Sequence, residues 1–195
     1  TGWCERRRLM SDVSTHSSRH DTNTCGKVRV WDPLVRIFHW SLVGGFAVSY
    51  ITAEEWDAVH EFAGYVVAGL IGFRLIWGLI GSRHARFTDF IYRPSAVVSF
   101  IKDSLAMKGQ RYVGHNPAGG AMVIALLLAI SGIAATGYMM TLDMFWGVEW
   151  VEDIHELLVN GTLVLIVLHV GGVILASIEH KENLVRSMFT GLKRR

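Results

Sequence analysis

Between Arg111 and Asp143 the chain carries no charged side chain, and Pro117 to Met140 within that interval is almost purely apolar. A bilayer core of roughly 30 Å is crossed by about 20 helical residues, so a run of this length belongs in lipid. Backbone groups there must be paired inside the segment, which makes the run a helix. Leu157 to Ile178 is a second run, broken by Asn160 and His169, and Phe62 to Gly81 a third, with Arg74 inside it. Leu34 to Thr52 is a fourth, with Arg36 and His39 near its start. These runs predict an all-α integral membrane protein, a four-transmembrane-helix bundle with helices near 34–53, 58–81, 117–140 and 153–178. Pro94 to Lys108 places Val97, Val98, Ile101 and Leu105 on one helical face but is too short to span. It is expected as an interfacial helix in the central loop. Composition agrees: 51% of residues are hydrophobic and 18% charged, against about 25% charged in soluble domains.

Orientation follows from lysine and arginine. Seven lie up to and including Arg36, six between Arg83 and Arg111, and five after His180, with Arg74 the remaining one. The two other loops are acidic, with Glu54, Glu55, Asp57 and Glu61 in one and Asp143, Glu149, Glu152, Asp153 and Glu156 in the other. The positive-inside rule then puts both termini and the central loop in the cytoplasm, and the acidic loops outside the bacterial cytoplasmic (inner) membrane, in the periplasm. Trp56, Trp146 and Trp150 stand among the acidic residues, which makes this face a candidate docking surface for a basic partner; satisfying the charge rule is the alternative use of these acids. The net charge of +2 gives no support for nucleic-acid binding.

Residues 1–27 are polar and read as a flexible cytoplasmic tail rather than a signal peptide, with Met10 a candidate start; residues 28–195 form one transmembrane domain. Cys4 and Cys25 fall in the tail. There is no CxxC and no CxxCH, so neither a zinc knuckle nor covalently attached haem is expected.

Four histidines carry the candidate chemistry. His39 lies at the inner end of the first span, His60 at the outer end of the second, and His155 and His169 at the outer and inner ends of the fourth. Polar ligating groups in a membrane are costly and mark function by default. Fourteen residues separate His155 from His169, about 21 Å of helical rise, and fourteen steps of about 100° return to within roughly 40° of the starting direction. Both therefore face one side, and helix directions pair His60 with His155 and His39 with His169. Zinc would want four ligands, and no cysteine or carboxylate set completes either pair. A proton relay would need a polar path, whereas the residues between His155 and His169 are mostly Leu, Val and Ile. Haem needs only two axial ligands and is commonly held in a four-helix bundle. Gly44, Gly45, Gly64, Gly171 and Gly172 lie near the histidines and could admit a flat macrocycle. Close helix packing is the alternative use of such glycines. Arg74 follows His60 by fourteen residues, which puts it at the inner depth, where it would pair with a haem propionate or snorkel to the surface. Asn116 and Pro117 suit the cap and first turn of the third span; with His115 they are weak site candidates.

The strings VRVWDPLVRIFHW (28–40), VHEFAGY (59–65), RLIWG (74–78), GHNPAGG (114–120) and HKENLVRSMFTG (180–191) stand in an order that resembles the bacterial di-haem cytochrome b family. That family contains the cytochrome b subunits of nickel-iron hydrogenases and bacterial cytochrome b561. The resemblance covers about 28–195 and implies two noncovalent b-type haems, with His39, His60, His155 and His169 at the ligand positions. It further implies electron exchange with a periplasmic redox protein (a cytochrome c, or a hydrogenase or dehydrogenase subunit) and with a quinone as acceptor or donor. An electron-transfer subunit within a larger complex is the expected role, rather than a self-contained enzyme. Two other classes stay open: a freestanding oxidoreductase passing electrons from a small periplasmic reductant such as superoxide to quinone, and a histidine-based proton or metal transporter. No quinone site is legible; His84, His115 and His180 are cytoplasmic candidates, for each of which a surface histidine is the preferred reading. Homo-oligomer formation is left open.

Overall fold

The computed structural model describes residues 27–81, 86–89, 91–110, 112, 114 and 116–194. Cys4, Cys25, His84, His115 and all but the last residue of the expected tail lie outside them. Four long helices dominate: α1 (Pro33–Thr52), α2 (Asp57–Ile80), α4 (Pro117–Met140) and α5 (Glu149–Glu179), with the shorter α3 (Pro94–Leu105) between α2 and α4. All four long helices are long and apolar enough to cross a membrane.

The helix starts are chemically specified. The Asp32 carboxylate accepts from Leu34 N–H at 2.8 Å and the Asn116 side chain from Gly119 N–H at 2.6 Å, each just before a proline in the first turn. Such caps contribute about 1 kcal/mol each. Capping thus accounts for Asn116 and Pro117. The first three spans begin and end within a residue of expectation, whereas α5 begins at Glu149, four residues before 153. Glu149 and Glu152 in its first turn suit the positive end of the helix dipole. At 31 residues α5 is about 46 Å long, so its ends reach the headgroup layers. The central-loop helix stops at Leu105 rather than continuing to 108, because Met107 turns left-handed at φ 57°. Phe100 anchors it to the bundle, while Val98, Ile101 and Leu105 are exposed, as an interfacial helix requires.

The packed core joins three helices: Phe38 of α1, Val67 and Ile71 of α2, and Leu127 and Ile130 of α4. The chain forms two helical hairpins, α1 with α2 and α4 with α5, linked through α2 and α4. Helix α5 rests on α4, where Leu158 occupies the space beside Gly132 that a Cβ would need. Among the described residues it makes at most a glancing backbone approach to α1 or α2. Outward-facing side chains such as Ile51, Phe62, Leu79 and Val167 are exposed, which suits lipid tails and not water.

The segments that flank the four spans form a further unit that the hydropathy pattern does not announce. A short helix α6 (Leu184–Thr190) follows α5, and strand β2 (Leu192–Arg194) pairs antiparallel with β1 (Lys27–Arg29), Val28 opposite Lys193. Gly191 makes the turn between α6 and β2 at φ 76°, a left-handed conformation that disfavours side chains.

Candidate functional site

The structure brings the four histidines together as two pairs at opposite ends of the bundle. The ring centres of His39 (α1) and His169 (α5) are 6.4 Å apart, and those of His60 (α2) and His155 (α5) are also 6.4 Å apart. All four side chains are half-buried. In each pair the partners belong to helices that do not pack closely on one another, so the rings meet across a gap between α5 and the first hairpin.

This spacing has a direct chemical meaning. A metal–imidazole nitrogen bond is about 2.0 Å, and the ring centre lies about 1.1 Å behind the nitrogen, so imidazoles on opposite sides of one metal have centres about 6.2 Å apart. Among the described residues no group of three or more His, Cys, Asp or Glu side chains gathers where a metal ion could sit. Each pair thus brings together two imidazoles, the number of ligands that a haem iron needs from protein. Gly64, one turn after His60, and Gly172, three residues after His169, share the ligands' helix faces. A Cβ on either would meet nothing within 4 Å, so close helix packing does not account for these two glycines. Gly45 instead lets α1 approach α2, since its Cβ would press on Val67 at 3.1 Å.

At the outer pair hydrogen bonds select the ring nitrogen. His60 Nδ1 lies 2.8 Å from the Ser49 carbonyl oxygen, which only accepts, so Nδ1 carries the proton. His155 Nδ1 lies 2.9 Å from the Thr136 hydroxyl, whose own proton is donated to the Gly132 carbonyl at 2.9 Å. The hydroxyl therefore accepts from His155 Nδ1–H. In both rings Nε2 keeps its lone pair free for a metal, the usual state of a ligating histidine held by a second hydrogen bond. Each anchor comes from the ligand's own hairpin partner, Ser49 on α1 for His60 and Thr136 on α4 for His155.

The inner pair is held differently. His39 Nδ1 is buried and has no hydrogen-bond partner among the described residues. Its ring instead stands edge-on to Trp40, with centres 5.1 Å apart at 89°. Arg74 is 3% exposed, so it does not snorkel to water. Its guanidinium carbon lies 5.1 Å from the centre of the Phe87 ring, and that ring fills the place where a Cβ on Gly78 would sit.

Three contributors are missed by sequence reasoning: Ser49, Thr136 and Gly137, whose missing Cβ leaves space for His155 Cε1 (3.3 Å from where that Cβ would be). Thr136 stands in an apolar run and reads there as filler. Of the other histidines considered, His180 lies 4.0 Å from Glu179 and meets neither pair.

The sequence profile of prokaryotic cytochrome b561 matches residues 30–191. The chain belongs to that family. A probable Ni/Fe-hydrogenase B-type cytochrome subunit from Rhizobium leguminosarum bv. viciae is 23% identical over 211 aligned residues, covering 84% of this chain and 87% of that protein. No solved structure matches the chain. This member of the prokaryotic cytochrome b561 family is thus a bacterial membrane protein of electron transport that uses b-type haem. Its two histidine pairs fit such a group in ring number and spacing, and the outer pair also in the nitrogen left free.

Proposed function

We propose that the chain carries two noncovalent b-type haems, one between His39 and His169 and one between His60 and His155, and moves electrons across the membrane between them. The observation that carries this reading is the pair of equal ring spacings, each 6.4 Å, at opposite ends of one bundle. When bound, a haem with two histidine ligands takes up and returns one electron without offering an open coordination position. The protein's part is to hold the rings at that spacing and to keep water out with apolar helix faces. It also fixes the outer imidazoles as Nδ1–H tautomers through Ser49 and Thr136. Arg74 supplies a buried positive charge at the inner depth, suited to a carboxylate such as a haem propionate.

Both termini and the central loop face the cytoplasm in this reading, and the acidic loops face the periplasm. Glu54, Glu55, Asp57, Glu149, Glu152 and Asp153 are all exposed there, as are Trp56, Trp146 and Trp150. The chain then works as a cytochrome b subunit linking a periplasmic redox protein to the quinone pool. The similarity to a hydrogenase B-type cytochrome subunit makes a hydrogenase or other dehydrogenase the first partner to seek. The transporter alternative has less support, because the residues between His155 and His169 are mostly apolar and no third metal ligand stands by either pair among those described.

The deciding experiment is a pyridine haemochrome assay with a reduced-minus-oxidised spectrum on the purified chain. Two b haems per chain are expected, falling to about one in His169→Ala. Well-folded protein that binds no haem when haem is supplied would overturn the proposal.

A further inference from the structure

We infer that the clasp made by α6 and the β1–β2 ribbon adds a direct tie between α1 and α5 beside His39 and His169, making Trp40 and Phe189 positioning residues of the inner site. The inference rests on the proposal that these histidines share a haem.

A bis-histidine site needs its two helices held at a set separation, yet α5 makes at most a glancing backbone approach to α1 among the described residues, and the packed core leaves α5 out. Packing joins the two only indirectly, through α4 and α2, and at the inner end α6 adds a direct span. On one side it is joined to α5. Lys181 turns the chain at φ 49°, Glu182 N–H donates to the Ser177 carbonyl at 3.1 Å, and Leu184 N–H reaches Ser177 Oγ at 3.4 Å. Asn183 then caps α6, accepting from Arg186 N–H at 2.7 Å.

On its other side α6 grips the start of α1. The Trp40 ring stacks on Phe189 with centres 4.4 Å apart at 21°. Arg36, three residues before His39, donates through Nη1 to the Phe189 carbonyl. Trp31 Nε1 donates to Ser187 Oγ at 3.3 Å, and Val30 N–H to the Gly191 carbonyl at 2.9 Å. The β1–β2 pairing continues the same seam, and Lys193 Nζ lies 5.6 Å from the centre of the Trp31 ring. These contacts converge on the helical turn that carries His39. The His39 ring has no hydrogen bond at Nδ1 among the described residues and leans edge-on against Trp40. Its orientation is therefore set by a ring that Phe189 holds. The outer pair has no such device and uses hydrogen bonds from within each hairpin.

The test is low-temperature electron paramagnetic resonance with a potentiometric haem titration on the full chain in detergent, the inner signal being identified as the one absent from His169→Ala. Phe189→Ala and Trp40→Ala should shift or broaden the inner low-spin signal and weaken inner haem retention by about tenfold or more, the size expected when support around a ligand is lost. The outer signal should stay, and Phe189→Tyr should restore the inner one. If Phe189→Ala does not fold, Gly191→Ala provides the same test from outside the rings. It strains the turn at φ 76° and brings a Cβ to 3.0 Å from the Trp31 carbonyl oxygen, and must give the same inner-only signature. Unmoved signals in these variants, or loss of both haems together, would overturn the inference while leaving the two-haem reading intact. A wild-type chain with no second haem would overturn that reading instead.

Discussion

The two histidine pairs have the same ring spacing but are held by different physics. At the outer pair each ring donates a hydrogen bond to its own hairpin partner, across 11 residues for His60 and 19 for His155. At the inner pair the His39 ring is held by contact with Trp40, and the helices are tied through α6, with Arg36 and Phe189 joined across 153 residues. A hydrogen bond fixes which nitrogen is protonated as well as the ring's direction, whereas an aromatic contact fixes direction alone. The outer site is thus local to its hairpins. The inner one depends on the segments before α1 and after α5 meeting.

The strongest way to break this comparison is to remove ligands. His155→Ala should lose the outer haem and keep the inner, His39→Ala should do the reverse, and either should abolish transmembrane electron transfer measured in reconstituted vesicles. Loss of both haems from either single variant would show that the sites are not independent.

Removing one hydrogen bond tests the outer half. Thr136→Val should weaken outer haem retention by about 10- to 100-fold, with Thr136→Ser restoring it and the inner haem unmoved. Haem dissociation into excess apomyoglobin, followed optically, would measure this. An outer haem indifferent to Thr136→Val would mean that packing, not the hydroxyl, holds His155.

Charge tests the inner half. Arg74→Gln removes a buried cation at the inner depth, which favours the oxidised iron. The inner midpoint should fall by about 40–90 mV, taking the lost interaction as about 1–2 kcal/mol and 59 mV per tenfold change for one electron. An unchanged midpoint in the redox titration would separate Arg74 from that haem.

Smaller effects sharpen the contrast. Gly137→Ala brings a methyl to 3.3 Å from His155 Cε1 and should perturb the outer spectrum at a cost of about 1–2 kcal/mol, seen as a modest drop in melting temperature. Neutralising Glu54, Glu55 and Glu149 should slow exchange with a basic redox protein at low ionic strength by up to about tenfold and leave it nearly unchanged at high salt. A salt dependence identical to wild type would remove the acidic loops from partner docking.

Much of this arrangement is legible without coordinates because lipid imposes strict rules. Apolar runs mark α1, α2, α4 and α5, and the 14-residue interval between His155 and His169 turns both rings to one side of α5. Asp32–Pro33 and Asn116–Pro117 announce two helix starts by chemistry confined to a few neighbouring residues. Ser49 and Thr136 are not legible in the same way. Their partners depend on how α1 is rotated against α2 and α4 against α5, and no periodicity in one helix states the rotation of another. Gly137 looks like any packing glycine until the imidazole beside it is seen. The clasp is the least legible part, because β1, α6 and β2 are each too short to carry a periodic signal.

The sequence alone determined the number of spans, the identity of the four histidines and their pairing by depth, since these follow from helical rise, hydropathy and charge, which are local properties. Tertiary structure decided which nitrogen each outer histidine presents, that α5 stands off from the first hairpin, and that α6 with the β1–β2 ribbon ties α1 to α5. Those features depend on contacts between residues far apart in the chain, and such contacts exist only once the helices have chosen their rotations and distances.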